Sequence, residues 1–170
     1  QEFQAVAKLT EVLEAHGFAI EREISGQPTA FRATYDLNGA ASPVIAYIAE
    51  YDALPEIGHA CGHNVIAAMS AGAGILLSKM NVLHGRVTVI GTPDEERGGG
   101  KIPMVRQGVF TNVDAAMMIH PSSKTVKRRW NLAAYTIIVE FQGKPAHAAG
   151  SPSEGINALD AMIQVFNSIG

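Results

Sequence analysis

Residues 44–55 read VIAYIAEYDALP. The first six side chains are apolar with no polar residue alternating between them. That is the pattern of a strand covered on both faces, as inside a parallel sheet. The run breaks at Glu50-Tyr51-Asp52 and turns at Ala53-Leu54-Pro55, which puts the acidic groups at the carboxyl end of the strand. Working backward, residues 2–16 place Phe3, Val6, Leu9 or Thr10, and Leu13 at near-helical spacing, with Gly17 where a left-handed cap belongs. Residues 18–23 and 30–35 alternate around Gly26-Gln27-Pro28 and predict two strands joined by a turn. Working forward, 65–79 is built of small and aliphatic residues and predicts a buried helix. Residues 86–90 predict a strand, 91–100 a glycine-rich loop, and the next stretch a short helix with Pro103 near its first turn. Residues 114–119 predict another strand. Strand and helix alternating in this way indicate an α/β fold, a mostly parallel sheet with helices on both faces.

After Pro121 the pattern changes. A polar stretch, 122–129, precedes a long predicted strand at 132–141, a Gly/Pro loop and an amphipathic helix. Ser151-Pro152-Ser153-Glu154 has the form of a capping box with proline at the first helical position. Ile156, Leu159, Met162, Ile163, Phe166 and Ile169 follow on one stripe. A domain boundary is expected within 122–130, giving domains 1–125 and 126–170. No internal repeat or low-complexity segment is seen. Gln1 opens inside an apparent helix and Gly170 follows the last turn of another, as in an excerpt of a longer protein.

The 170 residues are 47% apolar and 17% charged, enough for a hydrophobic core and too apolar for disorder. A net charge of -3 with no Lys/Arg-rich block argues against nucleic-acid binding. The apolar runs are too short or interrupted to span a membrane, and no export signal opens the chain. The single cysteine, Cys61, excludes an internal disulfide and suits the reducing cytoplasm.

In open α/β sheets ligands bind beyond the carboxyl ends of the strands. Three predicted strands end in candidate chemistry: Asp52 followed by His59-Ala60-Cys61-Gly62-His63, then Asp94-Glu95-Glu96, then His120. Thiolate, imidazole and carboxylate are the donors that hold zinc and similar cations, and Cys61 and His63 can face the same way in extended backbone. Adjacent Glu95 and Glu96 point apart, so that one can bind metal while the other moves a proton. Taken singly, each has a plainer reading. Cys61 can be a buried thiol, His63 or His120 a satisfied histidine, Glu95-Glu96 solvated loop charge, and Asp52 a turn residue. His16, His84 and, on spacing alone, His147 carry no signal. Convergence of three strand ends on one sheet edge favours a metal site. A phosphate-binding loop at Gly100-Lys101 is rejected, because Ile102 follows and Glu95 stands where the first glycine should be.

The linked motifs Glu50-Tyr51-Asp52-Ala53-Leu54-Pro55, His59-Ala60-Cys61-Gly62-His63-Asn64, Gly91-Thr92-Pro93-Asp94-Glu95-Glu96 and His120-Pro121 resemble the M20 peptidases. They are most similar to the amidohydrolase branch, subfamily D, with its aminobenzoyl-glutamate hydrolase subunits and basic β-alanyl dipeptidases. The resemblance implies a Zn-peptidase-like domain joined to the start of a ferredoxin-like α+β lid that forms a homodimer. It implies two divalent metals (Zn or Mn, with Co or Ni as options) held by Cys61, His63, Glu96 and His120. Glu95 would be the general base that takes a proton from the attacking water, and Asp52 would support a ligand. The Gly143-Lys144-Pro145-Ala146-His147-Ala148 segment resembles the lid motif whose histidine reaches the partner's site and steadies the oxyanion. Asn64 stands where many members carry Asp and reads as a helix N-cap. The chain ends inside the lid, so a further ligand histidine lies outside it and this chain by itself is expected to be incomplete. The implied substrate is an N-acyl or aryl-acyl amino acid or a small dipeptide. Two alternatives remain open at this level: a Cys61 nucleophile with a histidine base, and a non-catalytic metal-binding or oligomerisation module.

Overall fold

The computed structural model describes residues 2–39, 42–80, 84–127, 130 and 132–169. Gln1, Gly170 and the last two residues of the 122–129 stretch lie outside the described residues. The chain divides into two compact units, Gln1–Thr125 and Val126–Gly170.

In the first unit, helix α1 (Phe3–Ala15) buries Val6, Thr10 and Leu13, one face at helical spacing. It stops at Gly17, whose φ of +88° allows the Phe18 amide to reach back to the Leu13 carbonyl. Strands β1 (Ala19–Arg22) and β2 (Phe31–Leu37) pair antiparallel across a 3-10 turn at Ile24–Gly26. Strand β3 (Val44–Glu50) leads through a loop to helix α2 (His63–Ser78), and β4 (Gly85–Thr92) leads through the glycine-rich loop to α3 (Lys101–Arg106) and β5 (Ala115–Met117). The sheet order is β1-β2-β4-β3-β5. Strand β3 runs parallel to both its neighbours, β4 and β5, while β2 is antiparallel to both β1 and β4. The sheet is therefore mixed, and its parallel part is the half that carries the site. A hairpin needs no crossover, which is why the short β1 and β2 joined antiparallel.

The apolar run of β3 is covered on both faces. Ala46 and Ile48 join Ile24, Ala30, Ile90 and Met104 on the α3 side, while Ala49 and Tyr51 join Phe18, Phe31, Val87 and Val89 beneath α1 and α2. Helix α2 sits close against the sheet: Ser70 donates its hydroxyl to the Ile48 carbonyl at 2.6 Å.

In the second unit, the expected strand at 132–141 forms no ladder. No second strand is present among the described residues of this unit to receive its backbone groups, and Leu132, Tyr135, Ile137 and Ile138 are exposed. The expected capping box does not open the helix. Pro152–Glu154 is a separate 3-10 turn whose N-cap Ser151 makes no side-chain bond. Gly155 and Ile156 follow, and Ile156 bridges to Lys144. Helix α4 (Ala158–Ile169) starts later, with Asn157 Oδ1 accepting the Leu159 amide at 3.1 Å.

Candidate metal centre

Because β3, β4 and β5 are mutually parallel or share a parallel neighbour, their carboxyl ends lie on one edge of the sheet. The first end supplies Glu50, Tyr51 and Asp52. The chain then folds back through a small bridge in which Leu54 and Gly58 exchange amide bonds of 2.9 and 3.0 Å, and it returns as Cys61-Gly62-His63. Gly62 adopts φ +77°, and a Cβ there would stand 2.8 Å from Pro121 Cγ, so only glycine lets this turn lie against the His120-Pro121 segment. Cys61 and His63 thus flank a left-handed glycine rather than sharing an extended strand. His63 opens α2 with Gly62 at the N-cap, so Asn64 is inside the helix and does not cap it.

His63 is 1% exposed. Its Nδ1 lies 2.7 Å from Asp52 Oδ1, and a carboxylate can only accept, so Nδ1 carries a proton and the neutral ring presents a lone pair at Nε2. The other Asp52 oxygen accepts the Glu96 amide at 3.0 Å, so one buried carboxylate orients both an imidazole and the loop after β4. His63 Nε2 lies 3.5 Å from Glu50 Oε2 and 3.8 Å from Glu96 Oε1. Neither His63 Nε2 nor Glu50 Oε2 has a hydrogen-bond partner. The His120 ring stands edge-on to His63 with centroids 5.8 Å apart, and its Nδ1 donates to the Pro121 carbonyl at 2.9 Å.

A hydrogen bond to Glu96 raises the Cys61 thiol above its ordinary pKa, helped by desolvation and by the negative charge of Glu96, Glu95 and Asp52. Glu95 is exposed and Glu96 half-buried, so the adjacent pair is divided between solvent and site. Glu2, at the N-cap of α1, braces the same loop: one oxygen accepts the Asp94 amide at 2.8 Å and the other the Thr29 hydroxyl at 2.6 Å. Tyr51 donates to the Thr29 carbonyl, and burial pushes its phenol well above the usual range.

Among the described residues, two sets of donor atoms lie within 4.8 Å of one another: Cys61, His63 and Glu96, and Glu50, His63 and His120. Sulfur, imidazole nitrogen and carboxylate oxygen suit zinc and its neighbours, and the lone pair of a neutral His63 facing a buried carboxylate is a place for a cation. The residues present fit a divalent metal. Of the residues singled out in the sequence, Asp52, Cys61, His63, Glu96 and His120 come together with Glu95 beside them. His147 belongs to the second unit, where its Nδ1 accepts the amides of Ala149 and Gly150. Sequence reasoning missed Glu50 and Lys101 as site residues. The one available signal was an acid ending a strand that is otherwise wholly apolar.

Residues 46–167 match peptidase family M20/M25/M40. The chain is 41% identical over 157 residues to the human Xaa-Arg dipeptidase, covering 84% of this chain and 36% of that protein. It is 37% identical over 183 residues to a subunit of the p-aminobenzoyl-glutamate hydrolase of Escherichia coli, covering 95% of this chain and 37% of that protein. It therefore spans well under half the length of these relatives. Among solved structures, a dinuclear metal-binding peptidase of the M20 family from Bacillus subtilis superposes with a TM-score of 0.60 at 28% identity, covering 68% of this chain and 36% of that one. With the family match spanning most of the sequence and the strand-end donors in place, the chain belongs to peptidase family M20/M25/M40.

Proposed function

We propose that this chain is part of a metal-dependent amidohydrolase that cleaves the amide bond of an N-acyl or aryl-acyl amino acid or a small dipeptide. The observation that carries this reading is the buried, unpartnered Nε2 of His63, held by Asp52 and aimed at carboxylates with no donor between them. Cys61, His63, Glu96 and His120 would hold two divalent ions, zinc or manganese by donor type, with cobalt and nickel as options. When bound, such ions supply Lewis-acid activation of water and of the amide carbonyl. Asp52 fixes the imidazole tautomer and the Glu96 loop. Glu95, exposed beside the donors, takes the proton of the attacking water and returns it to the leaving amine. His147 would act in the partner's site of a homodimer formed through the second unit, a reading supported by the exposed apolar side chains there. The relatives named for Xaa-Arg dipeptides and for p-aminobenzoyl-glutamate support the substrate class.

No helix among the described residues is long and apolar enough to cross a membrane. The free thiol of Cys61 supports placement in the reducing cytoplasm. The test is Glu95→Gln in the intact protein. Turnover of N-acyl amino acids and dipeptides should fall about 10²–10⁴-fold with metal content unchanged, and unchanged turnover would remove Glu95 from the mechanism.

A further inference from the structure

We infer that Glu50, oriented by Lys101, is itself a ligand of the metal centre, binding the same ion as His63. The inference rests on the metal reading above and adds a donor to it. Glu50 ends β3 and is only 2% exposed, although it is a carboxylate. Its Oε1 pairs with the Lys101 ammonium at the start of α3, and its Oε2 has no hydrogen-bond partner. A carboxylate kept only as a counter-ion for Lys101 would leave that second oxygen buried without compensation. Instead the pairing turns Oε2 toward His63 Nε2, 3.5 Å away.

With Nδ1–H committed to Asp52, Nε2 of the neutral ring is a lone pair, so in that form both facing atoms are acceptors and a cation is needed to bridge them. Two ligands about 2.1 Å from one tetrahedral ion stand about 3.4 Å apart, close to this spacing. Glu96 Oε1 is slightly farther from Nε2, at 3.8 Å, and His120 completes the donor set with Glu50 and His63. His63 has a single lone pair to give, so the two donor sets that share it cannot each claim it for a separate ion. The ion that takes His63 therefore has Glu50 within reach as well.

The test is Co²⁺ titration of the intact protein, read by the visible ligand-field spectrum and by thermal melting, for wild type and Glu50→Gln. A glutamine can still accept from Lys101 while its amide donates to His63 Nε2, so the metal-free variant should melt at or above the wild-type temperature. Its Co²⁺ affinity should fall roughly tenfold or more, with a shifted spectrum. Wild-type affinity and spectrum in the variant would overturn the role of Glu50 and leave the other ligands standing. No Co²⁺ uptake by the wild type would overturn the metal reading and this inference together. Lys101→Met gives an independent measure. A ligating Glu50 without its cation should make melting more metal-dependent, and a metal-induced shift equal to wild type would count against the inference.

Discussion

The two units of this chain solve the burial problem in opposite ways. In Gln1–Thr125 a mixed sheet is covered on both faces, and the carboxyl ends of its parallel strands deliver donors to one edge. In Val126–Gly170 no described residue is buried, although helix α4 carries a well-formed apolar stripe and residues 132–139 are rich in aliphatic side chains. Similar local patterns therefore have different outcomes. An apolar run becomes a core only when another element supplies the facing surface, and most helical and strand stability comes from that packing rather than from propensity. The first unit supplies its own facing surfaces and can hold side chains rigid around a candidate metal centre; the described residues of the second leave their apolar surface open.

The largest stability effect should come from the heart of the first unit. Phe31 is fully buried, stacks on Tyr51 with ring centroids 6.0 Å apart, and lies under Gly91 of the paired strand. Phe31→Ala should destabilise the fold by about 3–5 kcal/mol, read from the urea midpoint. A loss below about 1 kcal/mol would mean that this core is not what holds the unit together. The same cavity would loosen Tyr51, next to Asp52, so metal affinity should fall along with stability.

The elements of the first unit were legible because their signals are local. The unbroken apolar run of β3, the spacing of Val6, Thr10 and Leu13, and the small residues of α2 each state a period or its absence. What was not legible depended on residues distant in sequence. The start of α2 at His63 rather than after Asn64 follows from the left-handed Gly62, which is required by Pro121 far along the chain. Glu50 reads only as an acid at the end of an apolar strand until Lys101 and His63 fold around it. In the second unit, 132–141 has strand composition but no partner to pair with among the described residues. Ser151 has capping chemistry, yet Gly155 and the Lys144–Ile156 bridge delay the helix to Ala158. Of the candidate site, the residues that come together, Cys61, His63, Glu96, His120 and Asp52, were readable from the ends of three strands, whereas the Nδ1 proton of His63 and the orphaned Glu50 oxygen needed three-dimensional neighbours.

A middle-sized effect should sharpen the point about distant constraints. Gly62→Ala places a Cβ at φ +77° and within 2.8 Å of Pro121 Cγ, so both the backbone and the His120-Pro121 segment must shift. Stability should fall by about 1–3 kcal/mol. Metal affinity should weaken as well, because Cys61 and His63 flank the turn and His120 adjoins the displaced proline. Calorimetric titration of metal against the variant, beside its unfolding curve, separates the two losses. A variant that loses stability but binds metal as the wild type does would show that the close approach of the two segments does not position the donors.

The smallest effect is expected where the two units differ most. Phe166 is 72% exposed on α4, so Phe166→Ser removes an aromatic ring from solvent rather than from a core. The unfolding free energy of the monomeric chain should then change by no more than about 0.5 kcal/mol, against several for Phe31→Ala. If the ring is instead covered by a second copy, as the proposed homodimer would have it, the loss should appear only as weaker association and shrink toward zero as protein concentration falls and the wild type dissociates too. Denaturation curves at two concentrations distinguish the cases. A concentration-independent loss above about 1 kcal/mol would mean that the second unit packs its apolar stripe within its own chain, and the contrast between the units would fail.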